Sequence, residues 1–179
     1  LLMNEQPEAV PEGIHDRAAD LQKQVDASFT SWLEKRYSGL ANLPPDPPVM
    51  LHHIPRFLAR RLGDDGRGKI ALIVVDGLAM DQWLAVRDEM SEHECSLRFQ
   101  EQAVFAWIPT VTSVSRQAIF AGKAPGFFPA SIRTTSKEPA LWAQFWVDQG
   151  LAPNEVVYFR GLGDGDMEEV DETLSHPKA

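Results

Sequence analysis

Leu21, Val25, Phe29, Trp32 and Leu33 recur at helical spacing and predict an amphipathic helix from about residue 14 to 37. The stretch LANLPPDPPVM, residues 40–50, then carries four prolines. Proline fixes φ and removes a backbone donor, so this stretch is an extended spacer and the clearest internal boundary. The pattern divides the chain into a helical extension with a Pro-rich linker over 1–50 and a further domain over 51–179.

Beyond the spacer, IPRFLARRL (54–62) reads as a short helix with an Arg-rich outer side. Six apolar residues at 70–75 follow and run into Asp76 and Gly77. So short a β-branched run, closed by Asp-Gly, predicts a strand buried on both faces, as in a parallel sheet. The next stretch places Met80, Trp83, Leu84 and Met90 on one side of a helix, giving the strand-turn-helix opening of a βαβ unit. SLRFQ (96–100), QAVFAWI (102–108) and EVVYF (155–159) are read as further short strands. Helices are expected from about Ser113 up to a stop at Gly122, and over 138–150 with Leu141, Trp142, Phe145 and Trp146 inward. A last helix is expected near 166–175. Strands are few for an open α/β domain, so the chain is expected to be the front part of a larger one.

Charge narrows the function classes. The 26 acidic against 17 basic residues give a net charge of −9, which argues against direct, non-specific nucleic-acid binding. A compact site for one phosphate stays open. The single cysteine, Cys95, forms no internal disulfide and is read as a small buried hydrophobe in a reducing compartment. No secretion-signal pattern opens the chain and no apolar run approaches ~20 residues, so a cytoplasmic, non-membrane protein is expected.

Two strand ends carry candidate chemistry. Asp76 emerges from a buried run, where its carboxylate can be held for a cation. Thr110, Thr112 and Ser113 stand in IPTVTSVS, where a helix begins; exposed backbone N–H groups there favour an anion or a developing alkoxide. Each feature has a structural alternative: Thr112 or Ser113 as an N-cap, and Asp76-Gly77 as an ordinary turn. The adjacent His52 and His53 are read as boundary residues, since one attachment point makes no metal site.

IALIVVDGLAMDQW followed by IPTVTSVSRQAIFAGKAP, with Thr112 standing 36 residues after Asp76, resembles the PglZ domain, a branch of the alkaline phosphatase superfamily. The resemblance implies an α/β fold, a three-layer αβα sandwich that is incomplete in this chain. It implies a two-metal site of Zn²⁺, alternatively Mn²⁺ or Mg²⁺, and a phosphate ester or phosphodiester substrate. By position, Asp76 matches a metal-ligating carboxylate and Thr112 the nucleophile, which also contacts metal; Thr110 and Ser113 are second choices. Ser113 and Arg116 match a phosphate-binding role, with a structural salt bridge as the alternative for Arg116. Asp81 fits a first-turn carboxylate better than a ligand. The pattern's later Asp-His pair is missing, and neither Asp171 nor His176 takes a ligand role. The resemblance therefore implies a phage-defence phosphatase or phosphodiesterase of the bacteriophage-exclusion kind, seen as an inactive fragment. Other subunits of a defence complex are the expected partners. The alternative is a non-catalytic scaffold whose first helix and spacer dock partner subunits. A nucleotide-binding domain is disfavoured, because no glycine-rich phosphate loop follows the first strand.

Overall fold

A computed structural model describes residues 13–65, 68–93, 96–162 and 167–175. Its helices are α1 (Ile14–Leu40), α2 (Ile54–Asp65), α3 (Met80–His93), α4 (Thr112–Ala121), α5 (Glu138–Asp148) and α6 (Glu168–Ser175). The chain divides into two compact units, with the boundary between Asn42 and Leu43. In the first, α1 keeps its expected apolar stripe in solvent: Leu21, Val25 and Phe29 are exposed. The Phe29 and Trp32 rings stack at 5.9 Å along that stripe. No helix among the described residues is long and apolar enough to cross a membrane.

The second unit is organised by α4 and α5. Phe120 of α4 and Trp142, Phe145 and Trp146 of α5 form the buried centre, with Leu58 and Leu62 of α2 packed against it. The inward set predicted for residues 138–150 is the set the helix buries, with Leu141 partly covered. Trp142 meets Phe120 edge to face at 5.7 Å and Trp146 at 5.4 Å, the arrangement aromatic quadrupoles favour. A smaller cluster of Ala118, Ala121 and Phe128 backs the other side of α4, joined by Trp107 and Ile132.

The αβα sandwich expected from the sequence is not what the chain forms. Among the described residues there is no strand, and one isolated parallel bridge joins Met50 to Phe105. Leu51 N–H donates to the Phe105 carbonyl at 3.1 Å and Phe105 N–H to the Val49 carbonyl at 2.8 Å. Residues 70–75 are extended, but no backbone hydrogen bond joins them to other described residues. They are not buried on both faces either. Leu72 and Val74 pack on the aromatic centre, while Ile73 and Val75 remain 76% and 60% exposed. The physical reason is that β-propensity fixes an extended backbone, whereas a ladder requires a neighbouring strand at hydrogen-bonding distance. Residues 156–160 behave alike: Val156 and Tyr158 face the aromatic centre, and the Val157 carbonyl accepts from Trp142 Nε1 at 3.1 Å.

The helix after Asp76 also departs from expectation, because α3 buries no residue and Met80 is 70% exposed. Its ties are polar: Trp83 Nε1 donates to Glu101 at 2.8 Å, and Arg87 pairs with the same carboxylate at 3.2 Å. His52 and His53, read as boundary residues, are buried instead, their rings 4.2 Å apart. Val49 and Met50 N–H groups both donate to His53 Nδ1, at 3.3 Å each. Cys95 and His176 lie outside the described residues.

Gly122 ends α4 where the sequence places the stop, with φ 59°. A Cβ built there meets Phe145 Cε2 at 2.6 Å and Pro55 Cγ at 3.3 Å. The left-handed backbone costs a non-glycine ~1–2 kcal/mol and overpacking ~1–3 kcal/mol more, so Gly122→Ala is expected to lose about 3 kcal/mol of stability. Urea unfolding checks this; a loss below about 1 kcal/mol would show that the Phe145 ring moves aside freely.

Candidate active site

Asp76 opens the turn that follows the extended segment, and Gly77 takes φ 75° to complete it. The Asp76 side chain is exposed. Gln82 Oε1 accepts from Ala79 N–H at 2.9 Å and so satisfies one donor at the entry to α3, where Asp81 stands in the first turn. Asp81 therefore sits where the helix dipole favours a carboxylate.

Helix α4 starts at Thr112, one residue before the expected Ser113. Its N-cap is Val111, in an extended conformation, and no side-chain hydrogen bond caps it. The local structural alternative for both hydroxyls is thereby decided. Thr112 is exposed and its hydroxyl makes no hydrogen bond among the described residues. Ser113 turns its hydroxyl to the Ile132 carbonyl, donating at 2.7 Å. Thr110 is exposed in the turn ahead of the helix, where Val111 N–H donates to the Pro109 carbonyl at 2.8 Å.

Arg116 lies one turn below Thr112 on the same side of α4. Its Nε and Nη2 donate to Glu138 Oε1 and Oε2 at 3.0 and 2.7 Å, a bidentate pair. Tyr158 donates its hydroxyl to Glu138 Oε2 at 2.7 Å. Glu138 is fully buried, so three segments (α4, the start of α5 and residues 156–160) share one desolvated carboxylate. The hydrogen bonds that Arg116 donates to Glu138, against the cost of burial, hold its guanidinium above its ordinary pKa. Burial first, and then Glu138, pushes the Tyr158 phenol up from its usual value.

Asp76 and Arg116 line one cavity of about 1650 Å³ together with Leu72, Val74, Trp142 and Tyr158. Thus the Asp76 carboxylate and the arginine of the Ser115-Arg116 pair line the same cavity, and Thr112 stands one helical turn from that arginine. Among the described residues, no group of three or more His, Cys, Asp or Glu could hold a metal ion. Asp171, on α6, is exposed.

Sequence reasoning missed Glu138 and Tyr158. Glu138 is followed by Pro139 at the head of α5 and reads as any first-turn carboxylate. Tyr158 hides in an apolar run. Only the three-dimensional meeting of the two with Arg116 reveals them.

No curated protein and no solved structure matches this chain. A family model does match, over residues 54–175, and its description is BREX system PglZ alkaline phosphatase-like domain. That match spans well over half of the chain and includes Asp76, Thr112, Arg116 and Glu138: the protein belongs to the PglZ family of alkaline phosphatase-like domains found in BREX systems.

Proposed function

We propose that the protein contributes to a metal-dependent phosphoric ester hydrolase of a phage-defence system, working in the cytoplasm, with Thr112 as nucleophile and Asp76 as a cation-binding carboxylate. The observation that carries this reading is the state of Thr112. It begins a helix without capping it, and its hydroxyl is exposed and uncommitted, whereas its neighbour Ser113 is tied to Ile132. A threonine serving as the helix cap would instead bond to a backbone N–H of its own helix.

In the proposed step, Thr112 Oγ1 attacks the phosphorus in line with the ester oxygen. The Oγ1–P bond forms as the P–O ester bond breaks, the threonine proton passes to solvent or a base, and the leaving alkoxide takes up a proton. Water then attacks the phosphorus, the Oγ1–P bond breaks, the water's proton passes to the Thr112 oxygen by way of solvent, and inorganic phosphate leaves. Zn²⁺, or Mn²⁺ or Mg²⁺ in its place, would activate the hydroxyl and screen the charge. The described residues do not by themselves supply a full ligand set for such an ion, so no step here is drawn through it. By itself the chain is accordingly proposed to be inactive. Arg116 retains its two Nη1 hydrogens and the second Nη2 hydrogen for a substrate oxygen, and Ser113 its backbone N–H.

The test is an aryl phosphate assay on the natural full-length protein with added Zn²⁺ or Mn²⁺. Asp76→Asn preserves shape and removes the charge, and is expected to lower turnover about a hundredfold, in line with the large costs of disturbing metal-binding groups. Unchanged turnover would remove Asp76 from the centre.

A further inference from the structure

Arg116 is the arginine that the motif brings to mind for phosphate, yet its charge is matched within hydrogen-bonding distance by Glu138. A guanidinium closed into a bidentate pair offers little net attraction to an anion. A chain of net charge −9 that takes a phosphate ester needs an uncompensated cation beside its nucleophile. The loop joining α4 to α5 provides one.

That loop is pinned to the first turns of α4 by side chains. Ser113 Oγ donates to the Ile132 carbonyl at 2.7 Å, Gln117 Nε2 donates to the Ser131 carbonyl at 2.7 Å, and Ser131 Oγ donates to Gln117 Oε1 at 2.6 Å. Gln117 is fully buried, so this is a fixed clamp. It joins the residue after Thr112 to the residue before Arg133. Thr112 and Arg133 are each one residue from an end of the 2.7 Å Ser113–Ile132 hydrogen bond, which brings their two segments side by side. Arg133 is exposed and makes no hydrogen bond or ion pair among the described residues. Of the other cations nearby, Arg160 donates to Thr135 Oγ1 and Lys123, beyond the far end of α4, pairs with Asp148 at 3.9 Å; Lys137, at the entry to α5, is exposed and unpaired among the described residues but is not next to the clamp.

We infer that Arg133 is a substrate-contacting residue that binds the phosphoryl oxygens beside Thr112. This rests on Thr112 marking the reaction centre, and it assigns the substrate's anionic group to a planar, two-pronged donor on an anchored loop.

Inorganic phosphate is the probe, titrated calorimetrically into the full-length protein without substrate. Arg133→Gln is expected to weaken phosphate binding about tenfold, the scale of one charge-assisted hydrogen bond, and Arg133→Lys to weaken it less. Lys123→Gln removes the same charge at the other end of α4 and is expected to bind as the wild type does. Circular dichroism should be unchanged in all three, because Arg133 has no partner to lose and Lys123 only an exposed ion pair at 3.9 Å. Wild-type affinity in Arg133→Gln, equal loss in Lys123→Gln, or no phosphate binding by the wild type would each overturn the inference. Phosphate binding requires no turnover, so a defect in Arg133→Gln beside normal turnover in Thr112→Ala would keep Arg133 and discard the nucleophile.

Discussion

Thr112→Ala in the natural full-length protein is expected to reduce hydrolysis of an aryl phosphate by at least about a thousandfold, because loss of a covalent nucleophile removes the pathway and leaves only binding and electrostatic terms. Stability should hardly change. Thr112 is exposed, its hydroxyl makes no hydrogen bond among the described residues and does not cap α4, so removing that hydroxyl leaves nothing unsatisfied. The pairing of a large kinetic loss with an intact fold separates catalysis from structure. Ser113→Ala makes a useful contrast. It loses the 2.7 Å bond to the Ile132 carbonyl, and so loosens the loop that carries Arg133 without touching the proposed reacting atom.

Glu138→Ala is expected to have the largest effect on stability. It strips the carboxylate from a fully buried position and leaves Arg116, with a side chain 23% exposed, and the Tyr158 hydroxyl without their acceptor. Removing one partner of a buried ion pair costs ~3–5 kcal/mol, since the other charge stays desolvated and unpaired. Glu138→Gln retains shape and one carbonyl acceptor, so its loss should be smaller. Urea unfolding of both variants checks the order, and a Glu138→Ala protein within about 0.5 kcal/mol of wild type would show that the network contributes nothing. The pH dependence has a definite sign. Tyr158 is held above its usual pKa of ~10, so its share of the stability is complete below that value and is lost as pH rises through the raised one.

Local physics made the helices legible. Trp142, Phe145 and Trp146 recur at helical spacing and are the residues α5 buries, and Gly122 stops α4 because only glycine fits its left-handed backbone. That no layered sheet forms among the described residues was not legible, because pairing is a property of two segments. Residues 70–75 have the apolar, β-branched character of a buried strand, yet only Leu72 and Val74 find apolar neighbours, and Ile73 and Val75 stay in solvent. The regular alternation of contact along this run matches one covered face, which six successive apolar letters do not reveal. Similarly, the apolar side of α3 is real in sequence and unburied in the structure, because amphipathicity states what a helix can cover and not what lies beside it.

The site divides in the same way. Thr112 and Asp76 stand out because turn and helix-entry chemistry is written in neighbouring letters. Glu138 does not: its meaning depends on Arg116, 22 positions earlier in the chain, and on Tyr158 from an extended segment. His52 and His53 carry the same lesson. Adjacent histidines after a proline spacer read as boundary residues, and neighbouring letters do not show that both are buried, with Trp107 5.2 Å from the His52 ring.

The most direct measurement of the central claim is mass spectrometry of the full-length protein, acid-quenched during turnover of an aryl phosphate and digested. If Thr112 is the nucleophile, the peptide spanning α4 gains the mass of one phosphoryl group, fragmentation places it on Thr112, and Thr112→Ala shows no such adduct. A phosphoryl group trapped on another residue, or brisk turnover by Thr112→Ala, would contradict the account.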